Sequence, residues 1–355
     1  MTSIAQWREE IVPLDPANLQ AARTRVDALT KPLGSLGVIE DLAVQLCGIA
    51  GAVPPPHAFE RRAVLVGAGD HGVAAEGVSA YPAEVTPQMV GGFLAEIATI
   101  NAFARAVRAQ VYVADFGVRV AFDPHPRLID VRCGPGTANL AHEPAIGRAA
   151  VAGVLAAGEA AFAALRERTA FDVLALGEMG IANTTAAAAI VAACTGAPAA
   201  QVVGRGTGID DVRLATKVAV VERALARVER DDVVSIAAEV GGFEIVGLAG
   251  VLLSAARARI PIVLDGYIVA AAALLAQRIA PQAIAYCVAG HRSQEPGHAI
   301  ALHALGLEPL LDLRLRLGEG SGAALALPLL EAAARMMREM KTFAEAGVAE
   351  KEEPA

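Results

Sequence analysis

Apolar positions along this chain change spacing several times, and those changes divide it into elements. Leu19, Ala22, Val26 and Leu29 fall on one helical face, and Val38, Leu42, Leu46 and Ile49 on another. The turn TKPLGSLG, Thr30 to Gly37, separates them. Short apolar runs then recur at Ala63–Val66, Gln110–Ala114, Val173–Leu176, Ile262–Leu264 and Ala283–Val288, each short enough to be a strand buried on both faces. Between and after them lie helical patterns over 88–107, 147–168, 186–193, about 212–229, 244–258 and 329–346. Strands alternating with helices predict an α/β fold with a parallel sheet and right-handed crossovers. The stiff stretch AVPPPH, Ala52 to His57, is the best position for a domain crossing.

Polar residues punctuate the ends of those strands. Asp70 with His71, Asp115, Glu178, Asp265, and His291 with Ser293 all follow an apolar run, at the carboxyl ends where open α/β sheets bind ligands. In FDVLALGEMGIANTT, Phe171 to Thr185, glycines 177 and 180 bracket Glu178, and Asn183, Thr184 and Thr185 offer cap side chains for the next helix. Free N–H groups at a helix start, beside hydroxyls, suit a phosphate. A carboxylate there points to chemistry on another part of the ligand. Gly318-Glu319-Gly320-Ser321-Gly322 is a second glycine-bracketed carboxylate at a helix start. For both glutamates, simple dipole complementation is about as good an account as catalysis on composition alone, and the flanking glycines favour close approach of a ligand. Lys217, in mid-helix, reads by default as a solvated lysine.

Gly67-Ala68-Gly69-Asp70-His71-Gly72 matches the dinucleotide fingerprint, which needs a helix opening at its third glycine. Gly77, Pro82 and Pro87 follow instead, which argues against it. Composition narrows the field further. A net charge of −8, from 30 basic and 38 acidic residues, does not make a nucleic-acid footprint. Four isolated cysteines, 47, 133, 194 and 287, read as buried reduced thiols of a cytoplasmic protein. The apolar stretch 245–277 is interrupted by Arg257, Arg259, Pro261 and Asp265, so it is core and not a membrane span. The residues thus support an α/β enzyme acting on a phosphorylated small molecule with carboxylate help, and do not name the reaction.

Eight blocks in order carry a resemblance: TKPLGSLG, AGDHG (68–72), EGVSAYP (76–82), GEMGIANTT (177–185), GRGTGIDD (204–211), EVGGFEI (239–245), VLDGY (263–267) and LRLGEGSGAALALPLLEAA (315–333). Together the chain closely resembles nicotinate-nucleotide:dimethylbenzimidazole phosphoribosyltransferases. The resemblance implies a homodimer with a Rossmann-like parallel sheet, helices on both faces, at 58–308, and a small helical domain built from 1–57 and 309–355. It implies transfer of phosphoribosyl from nicotinate mononucleotide to 5,6-dimethylbenzimidazole or a related base, with inversion at C1′, giving α-ribazole 5′-phosphate and nicotinate in assembly of the cobalamin nucleotide loop. No metal or cofactor is implied. By the same resemblance Glu319 is the general base and Glu178 lies by the ribose. Gly180, Asn183, Thr184 and Thr185 hold phosphate with help from Lys217, and Tyr81, Gln88 and Leu317 line the base pocket, with Asp265 and Ser293 nearby. Leu94–Ile100 and Tyr267–Val269 depart from the family pattern in ways that bear on which base is accepted. An NAD-dependent dehydrogenase using Gly67–Gly72 and a non-catalytic nucleotide-binding protein are the alternatives.

Overall fold

In a computed structural model, which describes residues 2–349, the chain forms one six-stranded sheet. The strands are β1 (Arg62–Gly69), β2 (Ala109–Gly117), β3 (Leu128–Asp130), β4 (Val173–Met179), β5 (Ile262–Leu264) and β6 (Cys287–Ala289). All neighbours run parallel, in the order β3-β2-β1-β4-β5-β6. That order reverses between β1 and β4, the crevice where doubly wound sheets take their ligands.

Fifteen α-helices occur among the described residues. The first five are α1 (Ile4–Glu10), α2 (Pro16–Ala28), α3 (Val38–Ala50), α4 (Val85–Leu94) and α5 (Thr99–Ala106). Then come α6 (Val151–Arg168), α7 (Asn183–Thr195), α8 (Ala199–Val202), α9 (Asp211–Leu225) and α10 (Val233–Val240). The last five are α11 (Phe243–Arg257), α12 (Tyr267–Ile279), α13 (Pro296–Leu305), α14 (Ser321–Glu339) and α15 (Phe343–Ala346).

Each face of the sheet has its own core, and β1 shows why. Its side chains alternate, so Ala63 and Leu65 join one cluster while Val64, Val66 and Ala68 join the other. The first cluster takes in α6, α7 and α9 to α12; the second takes in α2 to α5 and α14. Of the helices from the two chain ends, α14 packs on β4 and β5, α3 packs on α14, and α2 packs on α3. They are also joined to each other, through a bridge between Leu29 and Thr342 and the Thr30 N–H to Lys341 carbonyl bond of 3.0 Å. Scarce aromatics and many small residues let layers approach closely: α6 and α11 cross at Gly158 and Gly250, where a Cβ on either would strike facing backbone.

Several elements differ from the sequence expectation. The pattern over 88–107 is two helices, broken by Glu96 in a left-handed conformation (φ 60°). The strand expected at 283–288 is confined to Cys287–Ala289, after a 3-10 turn over Pro281–Tyr286. The last long helix starts at Ser321, not 329, and runs through Pro328 to Glu339. A proline eight residues into a helix removes one internal bond, and the buried apolar face of α14 outweighs that loss. Gly72–Glu76 is a single 3-10 turn and no helix opens before Val85, so the dinucleotide reading fails. Cys47 and Cys287 are buried as expected, but Cys194 is half-buried and Cys133 exposed. The 245–277 stretch is α11, β5 and α12 and is almost wholly buried. One helical stretch among the described residues, 148–168, is long and apolar enough to cross a membrane; its α6 part packs on α11.

Candidate active site

A cavity of about 410 Å³ lies over the carboxyl ends of β4, β5 and β6. The end of β4 and the turn after it bring Glu178 and Gly180 to it, the start of α7 brings Asn183 and Thr184, and the turn before α14 brings Leu317, Gly318 and Glu319. These turns are pressed together: a Cβ on Gly177 would fall on the backbone of Glu319 and Gly320, and one on Gly318 would fall on the Glu178 carboxylate. Both turns hold a non-glycine residue in the left-handed region, Ala182 at φ 73° and Glu319 at φ 64°. Such backbone is uncommon outside glycine and is found where the surrounding structure over-determines it.

The fastening of the second turn is Asp265, at the end of β5. Its Oδ2 accepts from the Gly320 N–H at 3.1 Å, and its Oδ1 accepts from Gly322 at 2.7 Å and Ala323 at 3.0 Å. A carboxylate 55 residues away in sequence thus caps α14. Asp265 is buried behind the cavity and not part of its lining, so its contribution is to hold the turn that carries Glu319.

The two glutamates share an acidic, mostly buried environment. Burial pushes the Glu178 carboxyl up to about 8, opposed by the Asn183 amide and reinforced by Asp265, Glu244 and Glu319. The Asn183 Nδ2 donates to Glu178 Oε2. Glu319 is also raised, by burial first, with the Ile100 N–H pulling it down and Asp265 pushing it up. Its Oε2 is buried with no hydrogen-bond partner among the described residues. A carboxylate with an unpartnered buried oxygen, on a residue that lines the cavity and in surroundings that favour protonation, has the chemistry of a proton acceptor.

At the other end, Asn183, Thr184 and Thr185 do not cap α7. Ala182 is the N-cap, without a side-chain bond, because the Asn183 side chain is turned to Glu178 and Thr184 Oγ1 accepts from Lys217 Nζ at 2.7 Å. The start of α7 therefore faces the cavity without a cap side chain across it. Thr185 is fully buried, off the lining, and its hydroxyl has no partner among the described residues. Lys217 is not the solvated lysine expected from sequence. It has no exposed surface, since α9 packs on α7, and its Nζ also donates to the Gly204 carbonyl at 3.1 Å. Burial lowers it to about 8, against the pull of Glu295.

The apolar wall comes from Val85 and Met89 of α4 with Tyr81, Ile181, Ile268 and Leu317. Gln88 is exposed and does not line the cavity, because Val85 and Met89 hold the inward face of α4. Ser293 does line it. Sequence reading missed Ile181, Glu295 and Arg316 in the lining; Arg316, three residues before Glu319, was the one with a local signal.

Comparison with known proteins follows the same lines. A family model described as "Phosphoribosyltransferase" matches residues 11–348. Nicotinate-nucleotide–dimethylbenzimidazole phosphoribosyltransferase of Chloroflexus aggregans is 52% identical over 360 residues, covering 99% of this chain and 100% of the relative. The enzyme of that name from Thermus thermophilus is 51% identical over 337 residues, covering 94% and 99%. The crystal structure of CobT from Thermus thermophilus superposes with a TM-score of 0.91 at 50% identity, over 95% of this chain and 100% of that one. The chain belongs to the nicotinate-nucleotide–dimethylbenzimidazole phosphoribosyltransferase family.

For a phosphoribosyltransferase of this family, Glu178 carries a measurable cost. Its folded value, about 8, lies above the ordinary 4.5, so the folded protein holds the extra proton and stability falls as pH rises between those values. Glu178→Gln is permanently neutral. Its thermal midpoint therefore exceeds that of the parent by more at pH 8 than at pH 5, while turnover drops. Equal differences at the two pH values, read by calorimetry, would contradict the assigned burial of the charge.

Proposed function

We infer that this protein is a pentosyltransferase that moves the phosphoribosyl group of nicotinate mononucleotide onto 5,6-dimethylbenzimidazole or a related base, releasing nicotinate, in cobalamin biosynthesis. One observation carries the site assignment: a single cavity is lined by the start of α7, which has no side-chain cap, by an apolar wall, and by Glu178 and Glu319. The phosphate sits at Gly180, Asn183 and Thr184, with Lys217 acting on it through Thr184. The flat base lies against Tyr81, Met89 and Leu317.

A base nitrogen attacks C1′ from the face opposite the pyridinium, so the new riboside is α. The C1′–N bond breaks, and its electron pair neutralises the pyridinium nitrogen, which leaves as nicotinate without needing a proton. The second ring nitrogen of the base loses its proton to Glu319 as the bond forms. Glu178 stands beside the ribose, with Asn183 fixing its orientation. We also read the protein as a homodimer whose second copy closes the open side of the cavity near Tyr81, which is 55% exposed in the single chain.

Incubation with nicotinate mononucleotide and a panel of benzimidazoles, purines and phenols should release nicotinate together with a new α-riboside 5′-phosphate, followed by chromatography. No release with any acceptor defeats the reading.

A further inference from the structure

Two of the sequence blocks, AGDHG and EVGGFEI, supply nothing to the cavity lining, yet they meet. His71 Nε2 lies 2.7 Å from Glu244 Oε1, and neither side chain has any exposed surface. The pair sits directly behind the turn that follows β4. A Cβ on Gly180 would press on the Gly69 carbonyl and reach Glu244 Oε1 at 3.1 Å and His71 Cδ2 at 3.3 Å. A Cβ on Gly242 would fall on the His71 ring and reach Glu244 Oε2 at 2.8 Å. Gly180 and Gly242 thus leave room for the pair, and the Gly180 turn rests on it. His71 Nδ1 and Glu244 Oε2 are buried without partners among the described residues, an expensive arrangement to keep for packing alone.

We propose that His71 and Glu244 are positioning residues, which hold the Gly180 turn and the Glu178 carboxyl in their working arrangement from behind the cavity. The proposal rests on the functional reading above. Glu244 does this in two ways. Its side chain fixes the backbone of Gly180, against which the phosphate lies, and its charge acts on Glu178 through the end of β4. The groups facing Glu178 are Glu244 from α11, Glu319 from the turn before α14, Asp265 from β5 and Asn183 from α7, with His291, Glu295 and Arg316 across the cavity. Among these, Glu244 raises Glu178 from outside the lining, so it can be neutralised without touching a ligand-contacting group.

The test uses Glu244→Gln, which keeps the shape, and His71→Gln, which keeps a donor toward Glu244. Both raise KM for nicotinate mononucleotide about ten-fold with plateau kcat within about three-fold of the parent, because the turn is displaced while Glu319 is not. In Glu244→Gln, the Glu178 carboxyl, identified as the infrared band that Glu178→Gln removes, titrates about one pH unit lower, since a like charge is gone. A lowered thermal midpoint with unchanged KM and unchanged titration reduces the pair to packing and overturns the proposal. The infrared titration needs no substrate, so it stands even for a parent protein that releases no nicotinate, which would defeat the functional reading instead.

Discussion

Replacing Glu319 by glutamine lowers kcat by about a thousand-fold and leaves the affinity for nicotinate mononucleotide within about two-fold. Glutamine keeps the volume and the left-handed backbone, so the turn survives; what it lacks is an oxygen able to take a proton. The buried, unpartnered Oε2 is the atom concerned. Because burial raises this carboxyl, the parent gains activity as pH rises through a value above the ordinary glutamate range, and that acid limb disappears in the variant. Calorimetric titration with the nucleotide separates binding from turnover. Near-normal turnover in Glu319→Gln would remove Glu319 from the chemistry.

The second large effect is remote from the ligand. Asp265→Ala leaves three backbone N–H groups, those of Gly320, Gly322 and Ala323, without their acceptor at the positive end of α14. Losing a buried, charge-assisted cap costs about 2 to 4 kcal/mol. The Glu319 turn loses its fastening at the same time, and kcat falls about a hundred-fold. Asp265→Asn restores part of both, because one amide oxygen still accepts from Gly322 and Ala323. Thermal unfolding and kcat should move together across the two variants. A destabilised Asp265→Ala protein with parental kcat would show that the turn holds itself.

The strand ends were legible because strands buried on both faces leave short apolar runs, and the first polar residue after each marks where the chain leaves the core. Glu178 and Ser293 were found that way, and Glu319 by its flanking glycines; all three line the cavity. Helix boundaries around α14 were not legible. Gly318–Gly322 was read as a helix start and is one, but Pro328 looks like a break locally, and only the second core carries the helix through it from Ser321. Lys217 was misread for a related reason: α9 covers α7, and sequence alone does not say which helix covers which. Gln88 and Met89 are neighbours on one helix, and the one-residue difference decided which lines the cavity. The His71–Glu244 contact joins residues 173 apart and had no local signal.

The position of α14 also sets an order of events when the chain is made. All six strands are complete once Ala289 has left the ribosome, and Asp265 is already at the end of β5. Glu319 and the helix that completes the cover of the second face arrive only with residues 318–339. A nascent or prematurely terminated chain ending before Gly318 therefore has Glu178 and the start of α7 but lacks Glu319. Such a product would leave the apolar surface of β4 and β5 that α14 covers open to chaperones and proteases.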